Sequence, residues 1–380
     1  MANLDELRKE IDAVDEQLVK LLEKRLDIVT KIGEYKIANN IPVIDRSRSE
    51  LVIEKAVSRL SSEKYKGEMT EMFSNMISVS ENMQKRTNSV ISGGNYIESV
   101  INASKPTKVN EDGIKIVFQG TEGSFGQAAL YQFFGTEKDV EAVEEFENVF
   151  EKVSSGEADY GVLPIENSQT GSIVEVYDLF RKYRACIIGE VQIPICHNLL
   201  GVKGADISDI KTVYSHPQGI LQCREFLKQR DEIDAVPMSN TAIAAKYVAD
   251  TKDKTKGAIA SKIAAESFGL DIIKENINTA ENNTTKFVII ARNPEISGSA
   301  SKISLCFTLP NIPGALSQVM LIFAKNGLNM LKIESRPIQN KKFEYFFFCD
   351  ILGNINDESV KSALNELPAC TGYLEILGNY

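Results

Sequence analysis

Two cations occupy an amphipathic segment at positions where apolar residues are expected. Arg25 falls in the apolar seam of this segment, and Lys36 follows eleven residues later, about 20° away around a helix axis. A guanidinium in a packing seam is costly unless it is paired. An intramolecular ion pair is one explanation, although Glu23 and Asp27 point elsewhere on such a helix. The other explanation is a small anion bound inside a helical bundle.

A later helical segment repeats the anomaly. One of its stripes begins with the apolar residues Phe73 and Ile77 and ends with the polar residues Ser80 and Gln84. Taken with the two cations, this stripe favours a buried polar pocket between helices.

Small polar side chains follow several predicted strands in the region from Ile114 onward. They are Ser124, Asn167 and Ser168, Ser215 to Gln218, Ser239 to Thr241, and Ser261. Each of them alone indicates only a helix N-cap. Five such junctions in one domain favour a cleft in which helix N-termini offer backbone N–H groups to an anion. The Gly120–Ser124 turn does not match a nucleotide-binding fingerprint.

Length, charge and apolar content argue against several classes of protein. A chain of 380 residues predicts two or three domains. The net charge of −10, without a long basic run, argues against nucleic acid or an anionic membrane as the main partner. No apolar stretch approaches the length of a membrane helix, and the first residues lack the features of a signal peptide. These features predict a cytoplasmic protein.

Metal chemistry is not indicated. The six cysteines form no C-x-x-C pair, and the chain has only two histidines, His197 and His216. We expect the cysteines to be small buried hydrophobes in a reducing compartment, and we predict neither a metal nor a cofactor.

Three regions of the chain differ in composition and apolar spacing, and each predicts the elements that position these residues. Residues 3–88 are expected to be all-helical, with one long helix ending before Pro42, a second after Asp45 and a third reaching about Arg86. Residues from about 87 are rich in Ser, Asn, Gly and Lys and predict a linker with a short helix near 97–103.

The remainder of the chain predicts two further domains. From Ile114 strands and helices alternate, which indicates an α/β domain. From Lys302 the order strand, helix, strand, strand, helix, strand fits an α+β ferredoxin-like sandwich. The predicted boundaries are 1–90 for the helical domain, 91–112 for the linker, 113–293 for the α/β domain and 300–380 for the last domain.

The first 88 residues resemble the all-helical chorismate mutases. The matching residues are Leu7-Arg8, Lys24-Arg25, Gly33 to Lys36, Pro42 to Asp45 with Arg48, and Ser80 with Gln84. The resemblance implies that Arg8, Arg25 and Arg48 bind the substrate carboxylates with Lys36, and that Lys36 and Gln84 bind its ether oxygen. Asp45, Ser49 and Ser80 are also expected at the substrate. Ser49 stands where the family usually has Glu, so an alternative is a weakened mutase.

Residues 114–292 resemble prephenate dehydratase. The matching blocks are Phe118 to Gly120, Gly123 to Phe125, Gly161 to Ser168, Ser215 to Gln218, Gln222-Cys223, Asn240 to Ala242 and Thr285 to Phe287. The resemblance implies two lobes around a cleft, similar to periplasmic binding proteins. Asn167, Ser215, Gln222 and Thr285 are then expected at the substrate, with Glu166 supporting. Further expected substrate contacts are Ser124, Ser168, His216, Gln218, Thr241, Lys286 and Phe287.

The implied reaction is a decarboxylative elimination, in which a ring hydroxyl must leave with a proton. The resemblance makes Thr285 the donor to that hydroxyl. Glu166 is the alternative if burial raises its pKa. His216 is expected to be structural or a neutral donor. Lys286 stands where the family has Arg, which keeps the charge but loses the bidentate fork.

The tail resembles the amino-acid-binding ACT domain. The resemblance rests on Asn311 to Leu316, Ile333 to Pro337, and Tyr345 to Phe347. It implies that phenylalanine binds between two protomers and inhibits the enzyme. The expected contacts are Asn311, Pro313, Gly314, Ala315, Leu316, Glu334, Ser335 and Arg336.

These resemblances together predict a bifunctional enzyme of phenylalanine biosynthesis. It would convert chorismate to prephenate and prephenate to phenylpyruvate, as a homodimer or tetramer. Arg8 and Arg25 lie seventeen residues apart, roughly 25 Å along one helix, so they can serve one site only from two chains. A non-catalytic small-molecule sensor is the alternative from another class.

Overall fold

The computed structural model describes residues 3–39, 41, 46–92, 96–280, 282–338 and 343–380. The chain divides into two compact units. The first contains Met1–Ser99, Thr308–Gly327 and Glu358–Leu374, and the second contains Val100–Phe307, Leu328–Asp357 and Glu375–Tyr380. Within the described ranges, every helix is too short or too polar to span a lipid bilayer.

Thirteen α-helices and fifteen strands are assigned in the described ranges. The helices are α1 (Leu4–Ala38), α2 (Arg46–Val57), α3 (Lys66–Ser92), α4 (Tyr96–Ala103), α5 (Phe125–Phe134), α6 (Phe146–Ser155), α7 (Val174–Tyr183), α8 (Pro217–Gln222), α9 (Arg224–Lys228), α10 (Thr241–Thr251), α11 (Lys262–Phe268), α12 (Ala315–Lys325) and α13 (Glu358–Glu366). The strands are β1 (Lys115–Gln119), β2 (Asp139–Val143), β3 (Tyr160–Asn167), β4 (Gly171–Ser172), β5 (Cys186–Pro194), β6 (Asn198–Gly201), β7 (Thr212–Ser215), β8 (Asp234–Pro237), β9 (Lys256–Ala260), β10 (Asp271–Lys274), β11 (Thr284–Ala291), β12 (Lys302–Thr308), β13 (Met330–Pro337), β14 (Tyr345–Leu352) and β15 (Leu374–Asn379).

The first unit contains the helices α1 to α3, in which α3 packs against both α1 and α2. The backbone N–H of Asn3 donates to the Glu6 carboxylate at 3.1 Å, which is half of a capping box at the start of α1. Every described residue from Asn3 to Lys24 is exposed, including eight large apolar ones. These apolar residues are Leu4, Leu7, Ile11, Val14, Leu18, Val19, Leu21 and Leu22. The first half of α1 therefore presents an uncovered apolar stripe, while its second half packs on α3.

The second unit contains two lobes, each built on its own sheet. The sheet of the first lobe has the order β2-β1-β3-β11-β5, with β4 paired to β3. The sheet of the second lobe has the order β10-β6-β9-β7-β8. The chain passes from the first lobe to the second after β5 and returns between β10 and β11.

A four-stranded sheet of order β13-β14-β12-β15, here called the regulatory sheet, packs against the first lobe. The rings of Tyr177 on α7 and Phe348 on β14 meet edge to face with centroids 4.8 Å apart. Alternation along β13 leaves Leu331, Ile333 and Ser335 exposed. The side chains between them, Lys332, Glu334 and Arg336, point toward the first lobe and pair with its residues.

The structure confirms most of the elements expected from the sequence. The three expected N-terminal helices, the short linker helix and the order of elements in the tail are confirmed, although α3 continues to Ser92, beyond the expected end near Arg86. The alternation of strands and helices expected from Ile114 is also confirmed, from β1 to β11. The expectation of buried cysteines is wrong for Cys196, which is exposed, and Cys186 is half-buried; the other four are buried.

Candidate active sites

A cavity of about 370 Å³ lies between the two lobes of the second unit. Its lining comes from strand ends, helix starts and the first crossover between the lobes. The lining residues are Gln119, Gly120, Ser124, Phe125, Gly126, Pro164, Asn167, Thr170, Ile173, Ile195, His197, His216, Gln218, Gly219, Gln222, Ser239, Asn240, Thr241, Thr285 and Phe287. Within the described part of the chain, no Asp, Glu, Lys or Arg lines this cavity.

Helix N-termini, rather than cationic side chains, supply positive electrostatic potential to the cavity. Ser124 caps α5 by accepting from the Gln127 N–H, His216 caps α8 through Nδ1, and Asn240 caps α10 by accepting from the Ile243 N–H at 2.9 Å. All three capping residues line the cavity. Backbone N–H groups at helix starts favour bound anions. The cavity is therefore suited to an anionic ligand.

The lobes touch beside the cavity at a glycine turn. Gly123 has φ +81°, and a Cβ built there would lie 2.9 Å from the Cα of Ala264 in the second lobe. Ser261 Oγ, the N-cap of α11, donates to the Gly123 carbonyl at 2.8 Å. Any side chain at 123 would be strained by both the backbone angle and this close approach.

The Asn167 amide orients the Thr285 hydroxyl. Asn167 and Thr285 are register partners on β3 and β11. Asn167 Oδ1 accepts from the backbone N–H groups of Gln169 at 2.9 Å and Thr170 at 3.1 Å, so its Nδ2 must face the other way. Nδ2 then donates to Thr285 Oγ1 at 2.9 Å and to Asn283 Oδ1 at 2.7 Å. Because Thr285 Oγ1 accepts this bond, its own hydrogen is available to a ligand.

A second polar site lies between α1 and α3 in the first unit. Arg25 donates to Ser80 Oγ at 2.6 Å, and Ser80 in turn donates to the Met76 carbonyl at 2.7 Å. A Cβ built on Gly33 would lie only 3.1 Å from Cγ of Gln84, so the glycine allows α3 to approach α1 there. Gln84 is buried, and its Oε1 has no hydrogen-bond partner within the described residues.

The Arg25 guanidinium has no carboxylate partner within salt-bridge distance in the described ranges, and burial lowers its pKa. An Arg side chain nonetheless remains charged in proteins. Of the two explanations offered by the sequence, the intramolecular ion pair is therefore not supported. The charged Arg25 beside the buried Ser80 fits a binding site for a small anion, and the unpaired Gln84 oxygen offers an acceptor to a donor group of the same ligand.

Three protein-family models match the chain in order. Chorismate mutase type II matches residues 7–85, prephenate dehydratase residues 116–295 and the ACT domain residues 304–369. A bifunctional chorismate mutase/prephenate dehydratase of Aquifex aeolicus is 32% identical over 100% of this chain and 98% of its own length. This chain belongs to the bifunctional chorismate mutase/prephenate dehydratase family.

Other relatives support the same membership. The bifunctional chorismate mutase/prephenate dehydratase of Buchnera aphidicola from Acyrthosiphon pisum is 34% identical over 98% of this chain and 95% of its own length. A solved prephenate dehydratase from Arthrobacter aurescens, in complex with L-Phe, is 31% identical with a TM-score of 0.65, covering 70% of this chain and 90% of that one. The chain is thus an enzyme of phenylalanine biosynthesis with chorismate mutase and prephenate dehydratase activities and an ACT domain.

Most residues expected at the dehydratase substrate line the cavity between the lobes. They are Ser124, Asn167, His216, Gln218, Gln222, Thr241, Thr285 and Phe287. Two others have structural partners instead. Ser215 is fully buried and donates to the Ile259 carbonyl at 2.6 Å, and Ser168 bonds the backbone of Asn282 and Thr284. Neither lines the cavity, so the placement of these two serines at the substrate is not supported.

Glu166 and Lys286 face away from the cavity, which corrects two expectations. They are register partners next to Asn167 and Thr285, and strand alternation sends their side chains to the opposite face of the sheet. Lys286 Nζ lies 3.5 Å from Glu166 Oε2 and does not reach a ligand in the cavity. Burial raises the pKa of Glu166, but hydrogen bonds and charge from Lys332 and Lys286 outweigh it and lower the pKa overall. A raised pKa for Glu166 as proton donor is therefore wrong.

His197 is a residue of the cavity that the sequence did not predict. The residue lines the cavity and is 2% exposed, yet it follows β5 rather than a strand-to-helix junction. Gln119, Phe125 and Thr170 also line the cavity and were not singled out as substrate contacts. A signal was present for His197, since it is one of two histidines and sits within an apolar run.

The residues expected at the mutase site are placed in two groups. Arg25, Ser80 and Gln84 lie along the packed α1 and α3 faces, and Lys36 is half-buried farther along α1. Arg8 is exposed on the uncovered half of α1 and pairs with Asp5 at 3.5 Å. On α2, Arg48 is exposed and Ser49 is half-buried. Asp45 lies outside the described residues.

The residues expected at the amino-acid site lie just before α12, at its first positions, and on β13. Gly314 has φ +79° and precedes α12, Ala315 is buried, and Asn311, Pro313 and Leu316 are exposed. On β13, Glu334 accepts from Ser172 Oγ at 3.0 Å, Arg336 pairs with Asp178 at 3.2 Å, and Ser335 is exposed. Glu334 and Arg336 therefore already hold partners on the first lobe.

Proposed function

We propose that the cavity between the lobes binds prephenate and that Thr285 donates the hydrogen bond to its leaving hydroxyl. The observation that carries this proposal is the fixed orientation of Asn167, which makes Thr285 Oγ1 an acceptor within the protein and a donor toward the cavity. Thr285 is 8% exposed, so a hydrogen bond from it acts in a poorly solvated place.

The electrostatics of the cavity agree with a dicarboxylate that loses one carboxylate as CO₂. Helix starts and neutral side-chain donors surround the space, and no cation lines it in the described ranges. A lysine or arginine beside the departing carboxylate would stabilise the reactant, in which the charge is localised. Neutral donors bind the dianion without that extra ground-state stabilisation.

The elimination places its negative charge on the leaving oxygen. The bond from the ring to the carboxylate carbon breaks, and its electron pair enters the ring as CO₂ departs. The ring C–O bond breaks, and the hydroxyl group leaves with that bond's electron pair as hydroxide, which takes a proton from solvent to become water. The Thr285 hydroxyl stabilises this oxygen by a hydrogen bond that strengthens as the charge develops. Formation of the aromatic ring supplies the driving force, so a weakly acidic donor is sufficient.

For the mutase we propose a site shared by two copies of the chain in a homodimer. Arg25, Lys36 and Gln84 would come from one copy and Arg8 from the α1 helix of the other. Arg8 and Arg25 are separated by roughly 25 Å along α1, which no small dicarboxylate spans. The uncovered apolar stripe of the first half of α1 would be buried by the second copy.

For regulation we propose that the amino acid bound by the ACT domain is phenylalanine and that it inhibits the dehydratase. The Arthrobacter aurescens relative was solved in complex with L-Phe. In this chain, β13 of the regulatory sheet contacts Ser172 and Asp178 of the first lobe. Phenylalanine binding that moves β13 would therefore also move residues of the first lobe, which carries Asn167 and Thr285.

One assay tests the proposed function against a non-catalytic sensor. The purified full chain is given chorismate, and the products are identified by mass spectrometry with and without millimolar phenylalanine. We expect phenylpyruvate to form, and prephenate to accumulate in its place when phenylalanine is added. Unconsumed chorismate would refute the mutase role, accumulation of prephenate alone would refute the dehydratase role, and binding without turnover would favour the sensor.

A further inference from the structure

The backbone of His197 is fixed at the first crossover between the lobes. Its N–H donates to Asn278 Oδ1 at 2.6 Å, and its carbonyl accepts from the Ile277 N–H at 2.9 Å. Both partners belong to the returning crossover between β10 and β11. His197 is therefore anchored where the two chain passages between the lobes run side by side.

The imidazole of His197 contacts both lobes. Its ring meets the Phe125 ring of the first lobe edge to face, with centroids 5.7 Å apart. On the second lobe, Nε2 lies 2.8 Å from Oε1 of Gln222. Cε1 lies 3.6 Å from a Cβ built on Gly219, so α8 packs closely on the ring.

The surroundings of the ring select one tautomer. Nδ1 is buried and has no hydrogen-bond partner within the described residues. A proton on Nδ1 would be a buried donor without an acceptor, which is rarer in proteins than a buried acceptor without a donor. The proton therefore sits on Nε2 and is donated to Gln222 Oε1. Burial also lowers the pKa of His197, which agrees with a neutral ring.

We propose that His197 is a positioning residue that fixes the Gln222 amide with its NH₂ group directed to the substrate. The inference rests on the dehydratase function of this cavity. Gln222 lines the cavity, and its Oε1 is occupied by His197. The amide is thereby held as a donor, in the same way that the backbone of residues 169 and 170 holds Asn167.

The orientation of the Gln222 amide affects substrate binding because the described lining of the cavity contains no cation. Without the His197 donor, Gln222 can rotate and turn its oxygen toward a substrate carboxylate. One donor to a charged group would then be replaced by a repelling acceptor. A hydrogen bond to a charged group is worth enough to change affinity by roughly 10- to 100-fold. Because the contact would exist before and during the reaction, we expect the change mainly in KM.

The test compares two substitutions of His197. His197→Gln places an amide N–H the same number of bonds from Cα as Nε2, so it can still donate to Gln222. His197→Phe keeps a planar ring without a donor. We expect His197→Phe to raise KM for prephenate roughly 10- to 100-fold and His197→Gln to stay within roughly 3-fold of the parent enzyme. Thermal melting of the full-length chain, followed by circular dichroism, reports whether each variant is folded.

A double-mutant cycle separates positioning from a general structural role. In a Gln222→Met background, His197→Phe should have no further effect on KM, because no amide remains to be oriented. Equal effects of His197→Phe in both backgrounds, or parental KM in the single variant, would overturn the proposal. Failure of the unsubstituted chain to convert prephenate would instead refute the proposed dehydratase site.

Discussion

Lys332 Nζ on the regulatory sheet lies 3.1 Å from Glu166 Oε2 on β3. The same carboxylate oxygen lies 3.5 Å from Lys286 Nζ on β11. Glu166 precedes Asn167 in the chain, and Lys286 follows Thr285. One ion-pair cluster thus joins the regulatory sheet to the two strands that carry the Asn167–Thr285 hydrogen bond.

We predict that this cluster transmits inhibition. Lys332→Met should raise the phenylalanine concentration for half-inhibition at least about 5-fold, because the regulatory sheet loses its charged contact with β3. Dehydratase kcat without phenylalanine should change little, since Lys332 does not line the cavity. The matched control is Lys361→Met, which removes a lysine paired with the exposed Glu358 on α13. Equal inhibition curves for Lys332→Met and the parent enzyme would contradict the prediction.

We predict that a mutase site shared between copies allows two inactive variants to complement each other. Arg8→Ala and Arg25→Ala homodimers should each lose most mutase activity, because every site lacks one carboxylate-binding arginine. A purified heterodimer would hold one doubly substituted site and one intact site. Its mutase activity should recover toward half the parental value, measured as chorismate consumption. A heterodimer as inactive as its parents would place both arginines in one chain and reject the shared site.

We predict that acid destabilises the dehydratase domain through His197. Burial lowers the pKa of His197, so the unfolded chain binds a proton more readily than the folded one. The free energy of unfolding therefore falls as pH drops through the usual histidine range, at about 6.5. His197→Gln should remove this contribution, and only one other histidine is present. Melting temperatures measured from pH 8 to 5.5 should fall more for the parent chain than for His197→Gln; parallel curves would contradict this.

The sequence predicted the elements because local patterns determine them. The spacing of apolar residues indicated α1, and the caps Ser124 and Asn240 marked helix starts that the structure confirms. The exposure of the first half of α1 was not predictable as such, because an apolar stripe does not indicate whether its own chain covers it.

The sequence did not predict which side chains of β3 and β11 face the cavity. Glu166 and Asn167 are neighbours in a block that resembles prephenate dehydratase, but strand alternation puts Glu166 on the face opposite to Asn167. The charge of Lys286 similarly suggested a carboxylate ligand, whereas its partner is Glu166. His197 could not be assigned because its role depends on two crossovers that meet only in the folded lobes.

Replacement of Thr285 tests the central claim most directly. Single-turnover conversion of prephenate would be compared for Thr285→Ser, which keeps the hydroxyl, and Thr285→Val, which keeps the shape without it. Asn167→Asp is a third variant, because its carboxylate can still accept from residues 169 and 170 but takes the Thr285 hydrogen for itself. We expect Thr285→Ser to retain turnover within roughly 10-fold, and both other variants to lose roughly 10²- to 10³-fold with mutase activity unchanged. Near-parental turnover by Thr285→Val would contradict the account.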